Sequence, residues 1–370
     1  MVRATTVAVR ERSFILPAVR VEWTDEQELL REAVAGVVAR EAPFAAVREW
    51  AQAGQLAAAD ALAVRQGWTG IGLAEDAGGQ GGGTLELAVL AEELGRGAVP
   101  WDRTLAGCVC APLLAATGAE EALALAAATA EGEQVAVLAV DARRPLEPAE
   151  DVRATRCVLG APGAHTLIFP LRHGDEIELL ADRADARSRT LVDRTRALGD
   201  VEPGAPRSLG TVELATLESA GAAAAVLVAA DALGAASRLL DETVAYVRER
   251  RQFGVPVGSF QAVKHAAAEM LVDVEASRSA VMYAAWAISA GEPDAGLHAS
   301  IAKSVACGAA VRVADKALFL HGAIGYTWEH DLQFPFKRAK SDALLYGSPD
   351  THRDLIAEQL GLTREPQPVA

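Results

Sequence analysis

The residues best suited to chemistry lie in one stretch, YVRERRQFGVPVGSFQAVKH at residues 246–265. Arg250, Arg251, Phe253 and Gln261 surround a turn built from Gly254, Pro256 and Gly258. A helix entering that turn must stop near Phe253 and Gly254, because Pro256 cannot continue it and glycine accepts the conformation that closes helices. Arg250 stands three residues before Phe253, so the two share one face. A guanidinium fork binds a pyrophosphate through parallel hydrogen bonds, and a phenyl ring supports a flat ring beside it. Gln261 opens the next helix and reaches the same place. This is the chemistry of gripping an anionic, planar cofactor. Taken alone, RRQFG is equally a helical-hairpin turn with surface arginines.

The elements that must position these groups are mostly helices. The chain has 370 residues, is 51% hydrophobic and only 5% aromatic, and contains long alanine runs. Alanine is the strongest helix former. A net charge of −15 excludes binding to nucleic acid or an anionic membrane through bulk charge, while a local arginine cluster still suits a polyanion. Cys108, Cys110, Cys157 and Cys307 are scattered. They imply no disulfide framework or metal motif and read as small apolar residues in helices. No uninterrupted apolar run reaches the ~18 residues of a membrane span. Residues 1–20 lack an apolar signal core and read as a tail, and the expected location is the cytoplasm.

Texture divides the remainder into three units. Residues 21–118 predict a helical unit. Thr24 or Asp25 caps its first helix, and LELAVLAEELGR forms a later one with Glu92 and Glu93 on a solvated face. Residues 119–214 carry short apolar runs, VAVLAV, CVLGA, TLIFPL and IELLA, bounded by turn residues, and predict a small, shortened β unit. Residues 215–370 return to long helices. The fold class is α+β, mainly α. Its segmental α–β–α order argues against a parallel sheet.

Three ordered segments resemble the acyl-CoA dehydrogenase family: GWTGIGLAEDAGGQGGGTLELAVLAEELGR, the RRQFG segment, and HGAIGYTWEHDLQFPFKRAK. The resemblance covers nearly the whole chain past residue 20. It implies an N-terminal helical domain, a small middle β domain and a C-terminal four-helix bundle. It also implies FAD as cofactor, α,β-dehydrogenation of an acyl-CoA thioester, and an electron-transfer acceptor. By the same resemblance, Arg250, Gln252, Phe253, Val257, Gln261 and Gly322 bind the cofactor, and no metal is required. His321 matches a family histidine without a catalytic role. Tyr326 and Trp328 are stacking or core residues.

The dehydrogenation needs a carboxylate to remove the α-proton. The family places a glutamate in one of two positions, and these fall on Ala224 and Gly347 here. No catalytic residue is therefore assigned. The flavin-side loop is also altered, because PLEPAEDVRAT lacks the family's Gly-Ser pair, and Phe319 replaces a glutamine near Gly322. The resemblance is to the base-less subunit of α2β2 acyl-CoA dehydrogenases, which completes the FAD site of a homologous partner, including on steroid side-chain thioesters. Two alternatives remain. One is a self-sufficient homotetramer with Asp231 or Asp350 as displaced base; a capped or paired helix acid is the plainer role for Asp231, and a helix N-cap for Asp350. The other is a flavin-free scaffold.

Overall fold

A computed structural model describes residues 23–54 and 56–362. The tail predicted over residues 1–20 lies outside the described residues. Six helices come first: α1 Asp25–Glu41, α2 Phe44–Ala53, α3 Ala57–Arg65, α4 Thr84–Arg96, α5 Asp102–Ala116 and α6 Glu120–Ala130. Thr24 caps α1 reciprocally: its hydroxyl accepts from Gln27 N at 3.3 Å, and its own N–H donates to Gln27 Oε1 at 3.1 Å.

Seven strands follow: β1 Ala136–Leu138, β2 Thr155–Leu159, β3 Thr166–His173, β4 Glu176–Arg183, β5 Ala186–Ser188, β6 Leu198–Val201 and β7 Arg207–Glu213. They form a four-stranded sheet ordered β1-β3-β4-β7 and a three-stranded sheet ordered β2-β6-β5. β1 runs parallel to β3, with Val137 opposite Leu167. The expectation against parallel pairing thus fails at this one edge, where a loop and a strand of the other sheet supply the crossover. Val137, Val158, Leu167, Phe169 and Val201 form a small core of their own between the sheets.

The rest is the bundle: α7 Leu214–Glu249, a hairpin of β8 Arg251–Gln252 and β9 Val255–Pro256, then α8 Gln261–Ser289, α9 Ala295–His321, α10 Gln333–Asp342 and α11 Pro349–Gln359. α7 is an unbroken 36-residue helix. By length and composition it could cross a membrane, but most of its apolar stretch is buried inside the protein.

Two glycines explain how α4 meets α7. A Cβ at Gly95 would lie 2.2 Å from Asp231 O, and one at Gly234 would lie 1.9 Å from Glu92 O. The two backbones therefore touch, and a side chain at either position would separate them. This approach corrects the reading of Glu92 and Glu93 as a solvated face: both are 6% exposed. Arg278 of α8 pairs with Glu92, and Arg31 of α1 lies 3.7 Å from Glu93. Burial, reinforced by neighbouring Glu92, raises the Glu93 pKa. The pattern shows acids on one side of α4; only the neighbouring helices decide that this side faces inward.

All four cysteines are free and buried. Cys108, Cys110 and Cys307 are helical as expected, whereas Cys157 lies in β2 at φ 57°. Burial pushes the Cys108 thiol up to about 12, so it stays protonated and inert.

Candidate functional site

The hairpin after α7 forms as its residue types dictate. Arg250 N donates to Tyr246 O at 2.8 Å and closes the helix. Phe253 and Gly254 make the turn with φ of 52° and 82°. Glycine adopts this region freely, but a phenylalanine there is strained. The Phe253 ring is 93% exposed and lies edge-on to Phe260 at 6.4 Å. Val257 N donates back to Arg250 O at 2.8 Å, and Gln261 is the exposed first residue of α8. Among the described residues, no hydrogen bond or ion pair engages the Arg250 or Arg251 guanidinium.

Gly322 sits just past α9 with φ 63° and open space where a side chain would begin. The Tyr246 ring stacks on His321 at 4.5 Å, which ties the end of α7 to the end of α9. Arg250, Gln252, Phe253, Val257, Gln261 and Gly322 are thereby gathered at one end of the bundle. Phe319, Tyr326 and Trp328 are exposed at the same end. His321 is buried, and its Nδ1–H donates to Ala317 O at 2.8 Å. Burial lowers its pKa, so it is a neutral packing residue.

The two expected base positions are closed. Ala224 is fully buried. Gly221, one turn earlier on α7, faces Leu146, whose Cβ lies 3.3 Å from a Cβ built on that glycine. At Gly347, with φ 98°, a Cβ would lie 3.0 Å from His352 Nε2 and 3.3 Å from Pro145 Cδ. Tyr346 N donates to Ala142 O at 2.6 Å. Residues 142–146 therefore pack against both the start of α7 and the turn before α11. Gly347 is one of the two expected base positions; the contact on α7 falls at Gly221, three residues before the other, Ala224.

Neither acid named as a displaced base stands open to a substrate-sized space. Asp231 is fully buried and accepts from Trp101 Nε1 at 2.8 Å, Arg196 Nη2 at 2.7 Å and Arg338 Nη1 at 3.1 Å. Burial alone would push its carboxyl up; Arg196 and Arg338 outweigh that and hold it low. It has neither an open face nor basicity for proton abstraction. Asp350 points into solvent in the first turn of α11 and pairs with Arg353. The N-cap there is Ser348, whose hydroxyl accepts from Thr351 N at 3.1 Å.

Asp231 belongs to a buried network that the sequence reading missed. Arg196, between β5 and β6, also donates to Asp102 Oδ1 of α5 at 2.5 Å and pairs with Asp342 of α10. Arg338 of α10 donates to Thr195 Oγ1 at 2.7 Å and to the carbonyls of Ala98 and Val99 at 3.1 and 3.0 Å. Asp193 accepts from Thr195 N at 3.0 Å and from Ser341 Oγ at 2.9 Å. Burial, with Asp231 adding to it, raises the Asp342 pKa far above the carboxylate range. The DRTR run at residues 193–196 was the available signal, since two arginines alternating with polar residues beside a strand need partners.

The altered PLEPAEDVRAT stretch lines a cavity of about 340 Å³ with Arg143, Arg144, Arg153 and Arg156 around it. His352, behind the 142–146 segment, donates Nε2–H to Tyr346 O at 2.8 Å, and burial depresses its pKa to about 4. A histidine depressed in the folded state adds stability above its unfolded pKa of ~6.5 and loses it as pH falls toward the folded value. Acidifying from pH 7 to pH 4.5 should therefore destabilise the protein more than its His352→Gln variant. The differential is roughly 2 kcal/mol in urea titrations, and parallel pH profiles would show that His352 is not the titrating group.

Comparison with known proteins follows the same outline. Residues 24–125 match the N-terminal domain of acyl-CoA dehydrogenases and residues 218–361 the C-terminal domain. The chain is 35% identical over 337 residues to acyl-CoA dehydrogenase IpdE2 of Mycolicibacterium smegmatis, covering 88% of this chain and 96% of that one. A variant of the Tcur3481–Tcur3483 steroid ACAD superposes with a TM-score of 0.80 at 25% identity, over 91% of this chain and 98% of that one. The ChsE4–ChsE5 complex of Mycobacterium tuberculosis shares the fold, with a TM-score of 0.82 at 23% identity over 94% of this chain and 100% of that one. With both terminal domains matched and a relative aligned along nearly its whole length, the chain belongs to the acyl-CoA dehydrogenase family.

Proposed function

We propose that this chain is the base-less, cofactor-supporting subunit of a heteromeric FAD-dependent acyl-CoA dehydrogenase. A homologous partner supplies the carboxylate. The observation that carries the reading is that neither Ala224, which is fully buried, nor Gly347, where His352 and Pro145 would crowd any side chain, carries a carboxylate. The opposite end fits the outer part of FAD. Arg250 and Arg251 have no described partner, Phe253 offers an open ring face, and Gly322 leaves room for close backbone approach. The chemistry supplied by bound FAD is hydride acceptance from an acyl β-carbon. This chain's share is to hold phosphate charge with Arg250, to support a ring with Phe253, and to add polar contacts from Gln252 and Gln261. The Tcur3481–Tcur3483 steroid ACAD and the ChsE4–ChsE5 complex, each of two components, support a two-chain assembly, and the first supports a steroid-derived substrate; that the partner is a homologue and the substrate a bulky side-chain thioester is part of this proposal. An electron-transfer acceptor and a cytoplasmic location complete the reading.

Co-expression with a homologous subunit tests it. The complex should be yellow and oxidise acyl-CoA, whereas this chain alone should carry little flavin and no activity. A yellow, active chain in isolation would overturn the assignment. In the complex, Arg250→Ala should weaken FAD retention by roughly ten-fold or more, since a charge-assisted hydrogen bond is worth roughly 1.5–3 kcal/mol. Flavin absorbance per protein measures the loss.

A further inference from the structure

The loop at residues 322–332 carries Gly322 and the exposed Ile324, Tyr326 and Trp328. Internally it is held by turn bonds: the N–H and hydroxyl of Thr327 both donate to Ile324 O, at 3.1 and 3.0 Å. Gln333 Nε2 donates to Trp328 O from the start of α10, and a further fastening comes from the N-terminal helical unit. Arg48 of α2 donates Nη1 to Trp328 O at 2.6 Å, and Nη2 to Glu329 O at 3.0 Å and Asp331 Oδ1 at 2.6 Å. Its guanidinium also lies over the Phe334 ring, 5.2 Å from the centroid, and Phe334 stacks on Phe44 of α2 at 5.7 Å. From α10, Lys337 Nζ covers the Trp328 ring at 3.8 Å. A planar fork with fixed donor directions can meet three acceptors in succession; a flexible ammonium cannot hold all three in one geometry.

We infer that Arg48 is a positioning residue for the cofactor-facing end, acting from the N-terminal helical unit on the loop that presents Gly322. It sets where the 322–332 backbone stands relative to the hairpin of Arg250 and Phe253. The inference rests on the cofactor-facing reading of that end proposed above.

The test uses the co-expressed complex with Arg48→Met, Arg48→Lys, Asp331→Asn and Arg250→Ala, read by the rate of FAD release and by Tm. Arg48→Met should release FAD roughly ten-fold faster, on the scale of a lost charge-assisted bond. Arg48→Lys should recover part of the difference, and Tm should change little because Arg48 lies at a partly exposed junction. Asp331→Asn weakens one leg of the latch without touching α2, so it should shift release in the same direction even if Arg48→Met fails to fold. If Arg250→Ala releases FAD faster while the Arg48 and Asp331 variants match the wild type, the positioning role is wrong and the cofactor reading stands. If none of the variants alters release, the cofactor reading fails and takes this inference with it.

Discussion

Arg196→Met should lower the stability of the folded chain by roughly 3–5 kcal/mol, the range for removing one partner of a buried ion pair. Arg196 is 5% exposed and engages Asp102, Asp231 and Asp342, one aspartate from α5, one from α7 and one from α10. The substitution would leave the three aspartates with Arg338 as their nearest remaining guanidinium, while Asp231 keeps its bond from Trp101 Nε1 and Asp102 its bond from Ala197 N. Water cannot enter to solvate them, so protonation is their main relief, and that costs free energy at neutral pH. Because the network ties the helical unit, the β unit and the bundle together, the loss should appear as less cooperative urea unfolding as well as a lower midpoint. Arg196→Lys should recover little, since an ammonium cannot reproduce the fork. A change below about 1 kcal/mol would show that the network contributes orientation rather than stability. Asp231→Asn belongs to the same experiment. Its effect should fall on stability, with turnover per folded, flavin-loaded complex unchanged, because Asp231 has no access to substrate.

Gly347→Glu, which restores the family's glutamate in sequence, should not create a dehydrogenase and should destabilise the chain by about 2–4 kcal/mol. The residue stands at φ 98°, a region that non-glycine residues enter only under strain. Its first side-chain atom would press on the His352 ring and on Pro145. A carboxylate placed there would be packed against residues 142–146 rather than facing a substrate. Acyl-CoA oxidation by the variant alone, beside wild-type and partner controls, is the measurement. Turnover gained by this single change would mean that the segment moves aside, and that the closed base position is not what silences the chain.

The helices and their order were legible in the sequence because they rest on local physics. Alanine-rich sequence marked long helices over residues 215–370, where α7, α8 and α9 lie, and Gly254 and Pro256 marked the hairpin. Thr24 was readable as a cap because capping is a contact over three residues. The strand texture of VAVLAV and TLIFPL was equally local. The residues proposed to face the cofactor lie in short stretches that the hairpin and the end of α9 bring to one end of the bundle.

What failed was burial and long-range pairing. Glu92 and Glu93 look like solvent-facing acids until Gly95 and Gly234 let α4 and α7 touch. Arg31 and Arg278 then turn that face into an ion-paired interior. Asp231 was read as a paired helix acid, and it is one, but its partners Arg196 and Arg338 stand 35 and 107 residues away and could not be named from local sequence. The parallel edge of β1 with β3 depends on how the loop between them crosses.

By itself, the sequence determined that this chain has the acyl-CoA dehydrogenase order of helical and β units, an arginine-bearing hairpin after α7, and no glutamate at residue 224 or 347. Those are properties of residue identity and near neighbours. Only the tertiary structure decided the surroundings of Asp231 and Gly347. Asp231 is held ionised and buried by two arginines, and residues 142–146 occupy the approach to Gly347, because packing distant segments together fixes both charge and space.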